Sequence, residues 1–286
     1  MRIVLVHGIN NQDNSSEQIV DDWLNTIRVG MDAETYAKIR KADVVAPFYG
    51  RELYDWTENR QRRAAPIAQA AADPDSDEAK FYREALEEIA PHLGISEVQI
   101  AALSPSSDPV EQGLPHDRRL LALLRAFETI SPLRGSLVLR LIPQAFTYLS
   151  RPGAAASVDA IVRPHLVDGP FIVIAHSLGT IVTFKLLREE QGAQVPLYLT
   201  LGSPLAVRAV KNAIGPRFGR CPRVDRWVNA FDLNDAVTIG RALTPQTFGN
   251  GVENIGDVNN GKDDPHSIEM YLRNREVVHA LANSLR

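Results

Sequence analysis

Cysteine is nearly missing from this chain: Cys221 is the only one among 286 residues, so no internal disulfide can form. It sits in a Pro- and Arg-rich stretch with no histidine near it in sequence to activate a thiol, which argues against a cysteine nucleophile. Long apolar runs are also missing, and none approaches the roughly 20 residues that would span a bilayer. The first residues read directly as a strand, without a basic segment, a long apolar stretch or a cleavage site, which predicts a cytoplasmic, soluble protein. A strong excess of either charge is absent too. The formal net charge of −4 argues against general affinity for nucleic acid. No internal repeat is present. What remains is a chain with 44% apolar residues, long enough to bury one large core as a single domain with an insertion.

Residues 171–182, F-I-V-I-A-H-S-L-G-T-I-V, form the most informative segment. A continuous apolar run, the mark of a strand buried on both faces of a parallel sheet, breaks at Ser177 into a second apolar stretch with helical spacing: Ile181, Val182, Phe184, Leu186 and Leu187. A serine at such a break is lifted out of the fold only if strand and helix nearly touch, which requires small residues two positions away on either side. Ala175 and Gly179 meet that requirement, giving A-x-S-x-G where G-x-S-x-G is commoner. The competing reading is an ordinary β-to-α turn whose serine caps the helix.

A second strand, residues 3–6, opens into His7-Gly8-Ile9-Asn10. The V-H-G-I string and the elbow at Ser177 together resemble the α/β-hydrolase superfamily, especially small bacterial lipases and esterases. The resemblance implies an α/β fold: a mostly parallel sheet of about six strands flanked by helices. It also implies that the backbone N–H groups of Ile9 and Leu178 form the oxyanion hole, a role indifferent to the apolar side chains there. His7 competes for the part of base, but a histidine at the end of a central strand is more often a hydrogen-bonded structural group.

In this superfamily the acid and base follow the serine in chain order. A strand over residues 226–231 runs into D-L-N-D-A-V, offering Asp235, which the resemblance favours, and Asp232 as fallback or as an Asx cap of the turn. A last strand over 252–258 is followed by D-D-P-H-S, and His266 is the expected base. His176 adjoins the serine and is expected to point away from it, with no catalytic part. His92, His116, His165 and His279 are read as solvated or structural. In the implied mechanism, His266 takes the proton of Ser177 as it attacks an acyl carbonyl, Asp235 orients the imidazole, and water then cleaves the acyl-enzyme. No cofactor and no metal is called for. The expected substrate is a small ester or lipid-like molecule. Thioesterase or amidase chemistry on the same triad, and a non-catalytic module for ligand binding or interaction, remain the alternatives.

The sheet-forming core is expected over 1–50 and 152–286, starting with a helix capped by Ser15 or Ser16 and a short strand over 43–48. Residues 51–151 read as a helical cap or lid, with polar loops at 73–77 and 104–115. Within it, residues 136–149 are apolar and could line an acyl pocket or touch a lipid surface, so peripheral membrane contact stays open. Packing in the cap's own core is the stronger reading, and Pro143 is expected to break or kink the helix. Residues 208–226 carry Arg208, Lys211, Arg217, Arg220, Arg223 and Arg226 against Asp225 alone. They would emerge beside Ser177, where an anionic substrate could meet them, although solvated basic loops are common. Residues 257–264 resemble a calcium loop with the wrong spacing, and serve more simply to present His266.

Overall fold

The computed structural model describes residues 1–57, 66–105, 117–189 and 192–285. His116 and most of the loop expected over 104–115 lie outside them. Six parallel strands, β1 (Arg2–Val6), β2 (Asp43–Val45), β3 (Phe171–His176), β4 (Val195–Leu201), β5 (Val224–Asp232) and β6 (Glu253–Val258), form one sheet in the order β2-β1-β3-β4-β5-β6. The helices described are α1 (Ser16–Gly30), α2 (Ala33–Lys41), α3 (Gly50–Thr57), α4 (Pro66–Ala70), α5 (Asp77–Ile89), α6 (Glu97–Ala102), α7 (Arg118–Ile130), α8 (Pro132–Ser150), α9 (Pro152–Val162), α10 (Leu178–Leu187), α11 (Arg208–Ile214), α12 (Ile268–Arg273) and α13 (Arg275–Asn283).

Alternation along the strands divides the interior in two. Ile3, Leu5, Ile172, Ile174, Leu197 and Leu199 face one side, where α1, α12 and α13 supply Trp23, Ile27, Leu272 and Leu281. Val4, Val6, Phe171, Val173, Ala175 and Tyr198 face the other, against Leu178, Ile181 and Val182 of α10. Helices therefore cover both faces, which is why the central strands read as unbroken apolar runs. The first helix is capped by Ser15, whose side chain accepts the N–H of Gln18. β2 stops at Val45, shorter than the strand expected over 43–48, and Pro47 just beyond it has no N–H for a ladder.

Between Gly50 and Ser150 the described residues are helical apart from turns, and α8 rests against α10 and α11. Their buried side chains, among them Phe81, Leu86, Leu123, Phe127, Ile142 and Phe146, belong to the same hydrophobic cluster as one face of the sheet. Pro143 does not break α8, which runs without interruption from Pro132 to Ser150. Burial of Val138, Leu141, Ile142, Ala145 and Phe146 on either side of it holds the helix through the one lost backbone bond. The apolarity of residues 136–149 is thus largely spent inside the core. Among the described residues no helix is long and apolar enough to cross a membrane.

Candidate active site

Because all six strands run the same way, the loops after β1, β3, β4, β5 and β6 leave from one edge of the sheet. From β1 the chain passes to β2 on one side, then returns on the other side as β3, so the loops that follow β1 and β3 diverge. Open α/β sheets commonly bind ligands at such a switch point, at the carboxyl ends of the strands. Ser177 and the His7-Gly8-Ile9 segment are placed there, with the serine itself buried.

Ser177 has φ 54° and ψ −127°, a conformation that costs a non-glycine residue on the order of 1–3 kcal/mol. The surroundings impose it. A Cβ on Gly179 would lie 2.4 Å from the carbonyl oxygen of Val6, so α10 can start this close to β1 only with glycine there. A Cβ on Gly8 would fall 2.6 Å from Cβ of Ser177, which puts the loop after β1 directly against the serine. That loop is braced by Asn11, whose amide donates to the carbonyls of Gly8 and Ile9. No backbone acceptor is paired with the N–H of Ile9 or of Leu178 among the described residues. Oγ of Ser177 is itself buried and has no partner.

The acid and the imidazole come from the loops after β5 and β6. His266 Nδ1 lies 2.8 Å from Oδ2 of Asp235, and the two residues are 7% and 1% exposed. A carboxylate can only accept, so Nδ1 carries a proton; Nε2, the other ring nitrogen, is buried and unpartnered, like the serine hydroxyl. The hydroxyl of Tyr271 donates to the same Oδ2 at 2.8 Å, and the N–H of Val237 donates to Oδ1 at 2.9 Å, so the buried carboxylate is well satisfied. Burial, and then the negative charge of Asp235, push the Tyr271 phenol well above its ordinary range, keeping it a donor. Gly202, at φ +57°, lets the backbone close over the imidazole; a Cβ there would stand 3.0 Å from both Cε1 and Nδ1 of His266.

Asp232, the fallback acid, is corrected by these contacts. Its Oδ1 accepts the N–H of Asn234 at 2.7 Å and its Oδ2 the N–H of Asn260 at 2.6 Å, and neither oxygen meets His266. It closes an Asx turn at the end of β5 and ties that turn to the loop bearing His266, which Asn260 steadies through the carbonyl of Pro265 at 2.7 Å.

His7 is buried with both ring nitrogens occupied. The Tyr49 N–H donates to its Nε2 at 3.3 Å, its Nδ1 reaches the carbonyl of Gly8 at 2.8 Å, and its ring stacks on Tyr49 at 4.2 Å. Burial lowers its pKa to about 4. His279 is on the surface beside Asn283, while His92 and His165 are half-buried, with burial lowering the pKa of each. The basic stretch disperses. Arg208 meets Glu88 through its backbone, Lys211 the carbonyl of Thr247, and Arg226 the carboxylate of Glu253. Arg223 precedes β5 at the edge of the sheet opposite Ser177, and donates to the carbonyls of Leu166, Ala193 and Leu186. The stretch therefore does not present its charge as a patch beside the serine.

Two residues have no signal in the motifs. Tyr271 stands five positions beyond His266 in an ordinary amphipathic turn, and only the fold brings its hydroxyl to Asp235. His176, assigned no catalytic part by its place beside the serine, packs its ring against that of His266, centroid to centroid 4.6 Å. No group of three or more His, Cys, Asp or Glu side chains that could hold a metal ion occurs among the described residues. No protein-family model, curated protein or solved structure matches this chain, so its functional reading rests on the geometry of the site.

Proposed function

We propose that this chain is a serine hydrolase of α/β-hydrolase type that cleaves carboxylic esters through an acyl-enzyme on Ser177. The observation that carries the reading is the pairing of Asp235 with Nδ1 of His266, which leaves Nε2 buried and unpartnered, at the same sheet edge as a strained serine whose hydroxyl has no partner. Each of those features costs stability. A serine serving only as a helix cap would have used its oxygen to accept a backbone N–H, and Ser177 makes no side-chain cap bond to α10.

His266 removes the hydroxyl proton as Oγ attacks the acyl carbon. The carbonyl π electrons move onto oxygen, where the N–H groups of Ile9 and Leu178 stabilise the charge. The imidazolium, held by Asp235, then gives its proton to the departing alkoxide, and the carbonyl re-forms as the acyl-enzyme. In the second half His266 deprotonates a water that attacks the acyl-enzyme; the tetrahedral intermediate collapses by breaking the acyl–Oγ bond, and the imidazolium returns its proton to Oγ, releasing the acid and restoring Ser177 and His266. The six-stranded, all-parallel sheet with helices on both faces is compatible with this fold type.

The deciding experiment treats intact protein with a fluorescent fluorophosphonate and follows hydrolysis of p-nitrophenyl esters of graded chain length. Labelling and turnover in the native protein, both abolished in Ser177→Ala, are expected. Labelling that persists in that variant, or none in a folded native protein, overturns the reading.

A further inference from the structure

We infer that His176 is a positioning residue for His266, an inference that rests on the hydrolase reading above. His176 is the last residue of β3, immediately before the nucleophile, so its backbone is fixed by the central sheet. Its Nε2 lies 3.0 Å from the main-chain carbonyl oxygen of His266. The carbonyl only accepts, so Nε2 of His176 bears the proton and its ring is the Nε2–H tautomer. The two rings are 4.6 Å apart at a tilt of 35°, and the Tyr271 ring stands 6.3 Å from His176 on the same side chain cluster.

These contacts restrain the base at points the Asp235 bond does not reach. Asp235 anchors one ring nitrogen and the Gly202 backbone closes over that edge of the ring, while Asn260 ties the loop after β6 through the carbonyl of Pro265. His176 fixes the main chain of residue 266 by its carbonyl and blocks one sweep of the ring by packing against it. The imidazole is thereby held against the end of β3, whose last residue directly precedes Ser177 in the chain. The ionisable groups facing the imidazole are Asp235 from the loop after β5, Tyr271 from α12 and His176 from β3. Burial, then the adjacent His266, keep His176 well below the ordinary histidine range, so the imidazolium formed in turnover meets a neutral aromatic face and no second cation.

The test separates the two contacts. His176→Gln keeps a donor at the Nε2 position and loses the ring; His176→Phe keeps a ring and loses the donor; His176→Ala loses both. The expected result is a fall in kcat of roughly 100-fold for His176→Ala with KM nearly unchanged, and smaller falls for the other two, as small misplacements of a catalytic group produce. Proton NMR gives a readout independent of turnover: the downfield Nδ1–H signal of His266, assigned by its loss in Asp235→Asn, should broaden or vanish in His176→Ala and return in His176→Gln. Circular dichroism melts identify any variant that fails to fold, and the Gln variant then carries the comparison. Native protein that labels at Ser177, with kcat and the signal unaltered in all three variants, overturns the positioning role and leaves the hydrolase reading standing. A native protein that does not label, but whose signal is lost in His176→Ala, overturns the hydrolase reading and upholds the contact.

Discussion

The two ends of the sheet treat their polar groups differently. At the amino ends of the strands Arg223 gives its terminal nitrogens to three carbonyls, Gln194 binds Asp225, and Arg2 binds Asp43. At the carboxyl ends Oγ of Ser177 and Nε2 of His266 are buried with no partner. The non-glycine residues with positive φ among the described residues, Asn10, Ser177 and Ile239, all lie in segments that follow β1, β3 and β5 at that same end. Backbone strain gathers at the carboxyl end beside the unpartnered Ser177 hydroxyl and His266 Nε2, whereas at the amino end Nε of Arg223 is buried without a partner but its terminal nitrogens are occupied; on the hydrolase reading, the strained end is where stability is given up for chemistry. The comparison predicts that substituting the strained or unpartnered groups at the carboxyl end changes activity far more than stability, and that the reverse holds for groups whose hydrogen bonds are met, at either end.

The sharpest way to break it is Ser177→Ala. Turnover should fall by a factor of about 10⁴ or more, while the midpoint of thermal unfolding stays level. Ser177→Gly should be as inactive but more stable than the native protein, by about 1 kcal/mol, because glycine tolerates φ 54°. A thermal midpoint that drops in both variants would mean that the hydroxyl supports the fold. Next comes the pair of carboxylates. Asp235→Asn should cost about 10³ to 10⁴ in kcat by favouring the wrong imidazole tautomer. Asp232→Asn, measured per folded molecule, should keep most activity but lose about 2 kcal/mol in urea titrations, because an amide nitrogen replaces an oxygen that accepts a backbone N–H. Equal losses of kcat in the two variants would erase the distinction between acid and turn.

How much of this could be read from the chain depends on whether the constraint is local. The elbow is local: an apolar strand, a serine, and the small residue Gly179 that the approach of Val6 demands, all within a few positions. So is the cap at Ser15. Asp235 and His266 were reachable because chain order and resemblance narrowed the choice, and their meeting at 2.8 Å is visible only in three dimensions. What had no local trace was the company they keep. Tyr271 and His176 act through bonds to residues 36 and 90 positions away, and neither spacing carries a periodic signal. The basic stretch disperses, as the reading of ordinary solvated loops expects: α11 and the turns after it carry the chain from one end of the sheet to the other, so charges adjacent in sequence end on opposite sides of the molecule. Pro143 misled because burial along α8 outweighs one missing backbone bond.

At the amino end Arg223→Gln sharpens the contrast. Losing a charged donor from three carbonyls should lower stability by about 3 kcal/mol, read from urea titration, with kcat and KM of the remaining folded protein unchanged. A drop in kcat at normal stability would show that the two ends are coupled.

The smallest effect asked of the comparison concerns His7, which sits at the carboxyl end yet has both ring nitrogens occupied. Its pKa is lowered to about 4 by burial, against a value near 6.5 in the unfolded chain. Between these values the unfolded state binds a proton that the folded state refuses, so the folded state is favoured above about pH 6.5 and that advantage is lost as pH falls toward 4. The difference corresponds to about 3 kcal/mol. His176 pulls in the same direction, so the His7 share must be taken from the difference between native protein and His7→Gln, which keeps polar atoms near the ring positions. Urea titrations at pH 7, 6, 5 and 4 should show the variant losing less stability on acidification than the native protein. Parallel curves would mean that His7 already binds a proton in the fold. The Tyr49 N–H would then have lost its acceptor, and His7 could no longer be grouped with the satisfied, structural polar residues.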